Sequence, residues 1–401
     1  MSNRLRILVV TVSTLLAAAL LMGALLDRNP SDDGAYRQMA VFEEVLGHIK
    51  SDYVEEPDLK SVTLGALNGL LEAIDPFASY LNADQYKEYL KNKDASKGGV
   101  GLVLSKRFGY LGVVDSIPGS PADKAGLTTG DMVETIRGIA TRDMPLAYAN
   151  ILLGGKPGST IEISVLAYRY QEAKKITLTR AEVQNPKVSE KLLADQVGYI
   201  AAESMGSATT ADVAAAVKSL DKQGAKRLIL DLRHSSAGTP DQGIELANLF
   251  LDKGLITYLK GQTVPRKDFE ADPAKAITKL PLVVMTNRGT AGGAELAAAA
   301  LLDSKRAQVV GERTYGDASV RRPIPTEEGG AIILSVAKYY SPGGKAIQDA
   351  HVTPSVLVNE AEPVVEVEEE GPPETPAPPE QPGDDPILKK AIEVATQGTK
   401  G

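Results

Sequence analysis

Residues 281–296 read PLVVMTNRGTAGGAEL. An apolar run, Leu282 to Met285, meets a glycine-rich turn and then the alanine-rich run that begins at Ala294. Strand, tight turn and helix in this order predict an α/β unit with parallel pairing. A sharp turn of this kind is also where many hydrolases display a nucleophile. Here the turn carries Gly292, Gly293 and Ala294, and no such side chain at its tip.

The same alternation runs outward over residues 186–356. VGYIAAESM precedes ADVAAAVKSLDKQG, RLILDLRHSS precedes IELANLFLDKG, and AQVVGERTYG and GGAIILSVAKYYSP close the set. Residues 35–97 carry apolar residues at three- and four-residue steps and predict helices, with a stop at Asp75-Pro76. Residues 98–180 change character: strand, strand, short helix, strand, helix, strand, a small β-barrel-like module. Residues 359–385 are rich in Pro and Glu and predict a disordered linker. Residues 386–401 offer one short amphipathic helix, which either docks back, binds a partner or frays.

At the start, Arg4 and Arg6 precede twenty uncharged, mostly apolar residues, Ile7–Leu26. That is long enough to span a bilayer as a helix. Residues 1–34 therefore predict a signal anchor and short linker, with a cleaved signal peptide as the alternative. The expected location is the bacterial inner membrane, single-pass, with the main body periplasmic or extracellular.

Composition removes several classes. The chain has 401 residues and a net charge of −8, which argues against a nucleic-acid partner. With no cysteine there are no disulfides, thiolate metal sites or cysteine nucleophile. His48, His234 and His351 are scattered and fit no zinc pattern, so neither a metal nor a cofactor is expected.

GGVGLVL, SPADKAGLTTGD, ETIRGIA and GKPGSTIEISV make residues 98–180 resemble a PDZ domain. Such a module adds a peptide as an extra strand and cradles its carboxylate with backbone N–H groups. The resemblance implies peptide contacts at Gly99, Val100, Gly101, Leu102, Val103 and Leu104, with 100–104 as the pairing strand and Tyr148 on the opposite wall.

Blocks FEEVLGHIKSDYVEEPDL, LEAIDPFASYL, KRLILDLRHSSAG, LANLFLDKGLI, PLVVMTNRGTAGGAEL, RAQVVGERTYGDASV and AKYYSPGGKAIQ follow one another. In that order they resemble the carboxyl-terminal processing peptidases, or tail-specific proteases. The resemblance implies an α/β core at 181–358 with an inserted PDZ domain. It also implies a Ser–Lys dyad with a supporting glutamine. Gly292 stands where the serine belongs, Asp317 where the lysine belongs, 25 residues on, and Arg321 where the glutamine belongs. Ala237 and Gly238 occupy the oxyanion-type loop. Asp317 and Arg321 are expected to pair if their segment is compactly folded.

The resulting expectation is a homologue without the family's catalytic residues, binding protein or peptide C-termini as an adaptor or as the non-catalytic partner of an active homologue or of its own copies. Two alternatives stand beside it. One is an active serine-type endopeptidase with a relocated nucleophile among Ser235, Ser236, Thr290 and Ser319, served by Lys305 or His234 as base. The other is a structural assembly subunit that binds no peptide.

Overall fold

The computed structural model describes residues 32–92, 98–107, 109–142, 144–167, 172–360 and 385–397. The chain divides into two compact units, residues 1–66 and 67–401. In the first, the helix Asp32–Asp52 is followed by a turn and the start of the helix Leu59–Ile74. Asp58 caps that second start: its Oδ1 accepts the Lys60 N–H at 3.0 Å, satisfying a backbone donor the helix leaves open.

Among the described residues no helix is long and apolar enough to cross a membrane. The helix Asp32–Asp52 has the length, but Glu43, Glu44 and Lys50 interrupt its apolar character. Ile7–Leu26 lies outside the described residues. The expected single-pass inner-membrane location, and the membrane contact with it, is therefore corrected: no described element supports it.

The second unit is built on a six-stranded sheet in the order Val356–Leu357, Ala307–Gly311, Leu282–Thr286, Arg227–Asp231, Val197–Ala201, Ser189–Leu192. All pairs are parallel except the last. Leu282–Thr286 is buried throughout and Arg227–Asp231 from Leu228 on, as expected of a parallel sheet covered on both faces. One face packs the helices Thr209–Lys222, Pro240–Asn248 and Gly293–Asp303 through Leu228, Leu230, Val284, Leu296 and Leu301. Every residue from Gly293 to Leu301 is buried, which explains a helix with no polar face except Glu295. Gly243 and Gly293 meet where their helices touch: a Cβ on Gly243 would collide with the Gly293 backbone, and one on Gly293 with the Thr239 carbonyl.

The helix Pro386–Gln397 docks on the opposite face, burying Ile387, Ala391 and Ala395 against Val197, Ile229, Val283 and Val310. Of the preceding Pro- and Glu-rich stretch, residues 361–384 lie outside the described residues. A second, antiparallel sheet joins Ser79–Leu81, Ala331–Tyr340, Leu255–Lys260 and Lys267–Glu270, with Ser319–Pro325 paired to Ala331–Tyr340. Residues 79–81 are thus a strand in a segment expected to be helical. Asp75 turns the chain there, its Oδ1 accepting the Phe77 N–H at 3.0 Å.

The module at 98–180 forms a third sheet in the order Leu102–Arg107, Tyr110–Ser116, Met132–Ile136, Thr160–Leu166, Lys174–Thr179, with helices Pro121–Lys124 and Leu146–Leu153. Lys174–Thr179 is a strand the sequence pattern did not suggest. It is an edge strand, exposed on most positions, and so lacks a long apolar run. The other edge strand begins at Leu102, not at residue 100. Val100 instead points into the module's core and is 2% exposed.

Candidate active-site cleft and its surroundings

The parallel strands Arg227–Asp231, Leu282–Thr286 and Ala307–Gly311 all end at the same edge of the sheet. The loops that leave them, 232–239, 287–292 and 312–318, therefore meet there. Loops at the carboxyl ends of parallel strands are where α/β folds place their sites.

The turn of residues 287–292 is locked by its own polar residues. Asn287 Oδ1 accepts the N–H groups of Gly289 and His234, each at 3.0 Å. Thr290 Oγ1 donates to the Leu232 carbonyl at 2.8 Å. The Ala291 N–H donates to the Ser235 carbonyl at 3.0 Å. Gly292 follows at φ 59°, ψ −122° and opens the helix. That left-handed conformation is strained for any residue with a Cβ. Space is not the obstacle: a Cβ at 292 would lie 3.8 Å from the Gly238 carbonyl oxygen and 3.9 Å from that of Asp317. The fold thus brings together Gly292, Gly238 and Asp317, three positions far apart in sequence. Ala237 adjoins them, its carbonyl accepting the Met205 N–H at 3.1 Å.

Arg321 completes the group. Its guanidinium forms an ion pair with Asp317 and lies 4.2 Å from the Phe77 ring centroid. Both charged side chains are about 30% exposed (29% and 30%). The segment is not helical. A bulge between Val320 and Arg321 in the strand Ser319–Pro325 accompanies the four-residue pairing. Burial raises the Asp317 carboxyl above its ordinary range and Arg321 draws it back, with Asp75 adding to the rise.

Glu295, wholly buried, holds the cleft together. Its carboxylate accepts the N–H groups of Gly292 at 3.1 Å, Gly316 at 2.7 Å and Asp317 at 2.8 Å, and the Thr314 hydroxyl. Burial pushes its pKa up to about 7 against the pull of these donors. Sequence reasoning passed over Glu295. The signal was there: it is the one charge in an otherwise apolar helix start.

The other hydroxyls near the cleft are engaged or isolated. Ser236 Oγ donates to Asp115 Oδ2 at 2.9 Å, and Ser319 Oγ bonds Ser335 Oγ at 2.9 Å. Ser235 Oγ is buried without a hydrogen-bond partner. Lys305 is exposed beyond the far end of the helix Gly293–Asp303, roughly 15 Å or more from the turn at 1.5 Å per residue. His234 uses its ring nitrogens on Asp115 (3.2 Å) and Asn287 (3.0 Å). Behind this loop Arg233 binds both Asp231 and Asp385, each at 2.8 Å, which fastens the start of the last helix.

In the module at 98–180, Gly99 exchanges two hydrogen bonds with Ala181, each 2.9 Å. Gly101 has φ 79°, and a Cβ there would collide with Ser120. Leu104 is buried, while Leu102 and Tyr148 pack partly buried on the same cluster. Val103 pairs opposite Asp115. Among the described strands, none pairs with the outer edge of Leu102–Arg107.

The family model of peptidase family S41 matches residues 196–358, and a PDZ domain model matches residues 112–166. The chain is 30% identical over 352 residues to the carboxy-terminal-processing protease of Bartonella bacilliformis, covering 86% of this chain and 80% of that one. Among solved structures, the photosystem II D1 C-terminal processing protease aligns with a TM-score of 0.64 at 30% identity, over 79% of this chain and 86% of that one. A further relative is the chloroplastic C-terminal processing peptidase of Tetradesmus obliquus, 31% identical over 76% of this chain and 70% of that one. A chloroplastic relative reinforces the correction above, because kinship does not tie the fold to a bacterial inner membrane. Sheet, cleft and module agree with these likenesses, and the chain belongs to the carboxy-terminal-processing proteases of peptidase family S41, with a PDZ domain.

Proposed function

We propose that this member of the family binds protein or peptide C-termini through its PDZ domain and does not cleave them. It acts as an adaptor or as the non-catalytic partner of an active homologue. The observation that carries this reading is Gly292 at the strained tip of the turn, with the Asp317–Arg321 ion pair beside it. Acyl transfer by this fold needs a side-chain nucleophile and a base within about 3 Å of it. Position 292 offers no nucleophile. An anionic carboxylate at 317 would also oppose the negative charge that develops on a carbonyl oxygen under attack.

The rival with a relocated nucleophile has one supporting feature, the unpartnered Ser235 hydroxyl. Against it, the candidate hydroxyls bond Asp115, Leu232 and Ser335 or stand alone, and among the described residues none bonds Lys305 or His234. For peptide binding, the support is the open edge of Leu102–Arg107 beside the helix Leu146–Leu153.

The test is fluorescence anisotropy with a labelled peptide ending in apolar residues, followed by mass spectrometry of the same samples. Saturable binding with intact peptide is expected. Peptide shortened in step with protein concentration would overturn the reading. Absence of binding across apolar, polar and charged tails would leave only the structural-subunit alternative.

A further inference from the structure

Asp115, His234 and Glu360 come from three separate parts of the chain and meet at one imidazole. Asp115 stands on the PDZ strand Tyr110–Ser116, His234 on the loop after Arg227–Asp231, and Glu360 beyond Val356–Leu357. His234 Nδ1 is 3.2 Å from Asp115 Oδ1, and Nε2 is 3.7 Å from Glu360 Oε1. Ser236 from the same loop adds its 2.9 Å bond to Asp115 Oδ2.

The Asn287 amide fixes the proton positions. Its Oδ1 accepts two backbone N–H groups, so its Nδ2 faces His234 Nε2 at 3.0 Å and Glu360 Oε1 at 2.7 Å. In the neutral ring, Nδ1 carries the proton toward Asp115 and Nε2 accepts from Asn287. One further proton on Nε2 ends the bond accepted from Asn287, and Glu360 Oε1, 3.7 Å away, is the carboxylate whose charge attracts the new imidazolium. The imidazolium then stands between a carboxylate of the PDZ domain and one of the core.

The remaining charged neighbours do not cancel this. Arg233, next in sequence, is held by Asp231 and Asp385. Glu312 lies behind Glu360, accepting its N–H at 3.4 Å, and pairs with Arg288 at 3.4 Å. Burial, and to a smaller extent the charge of Arg233, pull the imidazole pKa down, but the hydrogen bond and charge of Asp115, with the charge of Glu360, outweigh them and leave the value raised.

We propose that His234 is a proton-operated clasp between the PDZ domain and the core, tightened when the ring is protonated and loosened as pH rises. A group whose pKa is raised in the clasped state stabilises that state below its ordinary value of 6.5 and loses the effect as pH passes the raised value. The clasp grips at a telling point. Asp115 pairs opposite Val103 on the strand with the open edge, and Ser236 precedes Ala237 and Gly238 in the cleft loop. Proton uptake thus bears on both the peptide edge and the cleft.

The chain has no cysteine, so two can be introduced for dyes. Lys124→Cys on the PDZ domain and Lys222→Cys on the core are both exposed. Energy transfer between them is followed in the full chain from about pH 5.5 to about pH 8.5, the window of imidazole titration. The expected result is a single transition with its midpoint above 6.5. It should vanish in His234→Asn, which does not titrate and tolerates the left-handed backbone at this position (φ 57°). In Glu360→Gln the midpoint should fall. Energy transfer that is flat with pH, or the same transition in His234→Asn, would overturn the proposal. If His234→Asn fails to fold, an unmoved midpoint in Glu360→Gln would do so instead.

Discussion

The carboxylate of Glu295 accepts the backbone N–H of Asp317 at 2.8 Å across 22 residues of sequence. Through this bond and those to Gly292 and Gly316, one buried side chain sets the distance between the turn at 292 and the segment at 317. Replacing it with alanine leaves three backbone donors in the cleft unpaired. Each buried unpaired group costs about 1–3 kcal/mol. Glu295→Ala should therefore lose at least about 3 kcal/mol, read as a lower urea midpoint at unchanged slope.

The same residue predicts a pH signature. Its carboxyl is held up at about 7 by burial. Its contribution to stability is thus full below the unfolded value, near 4.5, and is lost as pH rises through about 7. The stability difference between the native chain and Glu295→Gln should shrink across that window by roughly 3 kcal/mol, taking 1.36 kcal/mol per unit. Urea titrations at a series of pH values give this difference directly, and a constant difference would contradict the burial argument.

Asp317 and Arg321 should behave as a coupled pair. Removing one leaves the other charge partly buried and alone. Fully buried pairs cost about 3–5 kcal/mol when broken and exposed ones under about 1. At 29–30% exposure, Asp317→Asn or Arg321→Gln should each cost about 2 kcal/mol. The double variant should cost less than the two singles added, which a double-mutant cycle measures.

The proposed peptide binding at the PDZ domain predicts a dependence on the ligand's terminal carboxylate. Converting an apolar tail from free acid to amide removes the charge that the loop around Gly99 and Gly101 would receive. Affinity by anisotropy should fall at least about tenfold, or about 1.4 kcal/mol. Equal affinity for both forms would mean that the groove reads side chains alone.

Much of this architecture was legible in the residues. The apolar run before Asn287 and the alanine run after Gly293 each had one period, so strand, turn and helix followed. The resemblance to the tail-specific proteases implied that Gly292 and Asp317 share one site, and the fold brings them together. What stayed hidden depended on distant contacts. Ser79–Leu81 is a strand only because Ala331–Ile333 pairs with it. Lys174–Thr179 is an exposed edge whose alternation is too weak to read. Asp115 and Glu360 carry no local mark of sharing one histidine, because 245 residues separate them and only the fold closes that distance. The membrane expectation rested on Ile7–Leu26 alone, and no described helix bears it out.

The most direct measurement compares tail cleavage by the native chain with that by a rebuilt site. The rebuilt variant carries Gly292→Ser, Asp317→Lys and Arg321→Gln. The Cβ fits at 292, at a cost of about 1–3 kcal/mol for the strained backbone. Mass spectrometry would follow an unstructured protein with an apolar C-terminus over time. The account predicts no product from the native chain or from Gly292→Ser alone, and measurable product from the triple variant. Product from the native chain at a rate unchanged by these substitutions would contradict it and direct attention to Ser235.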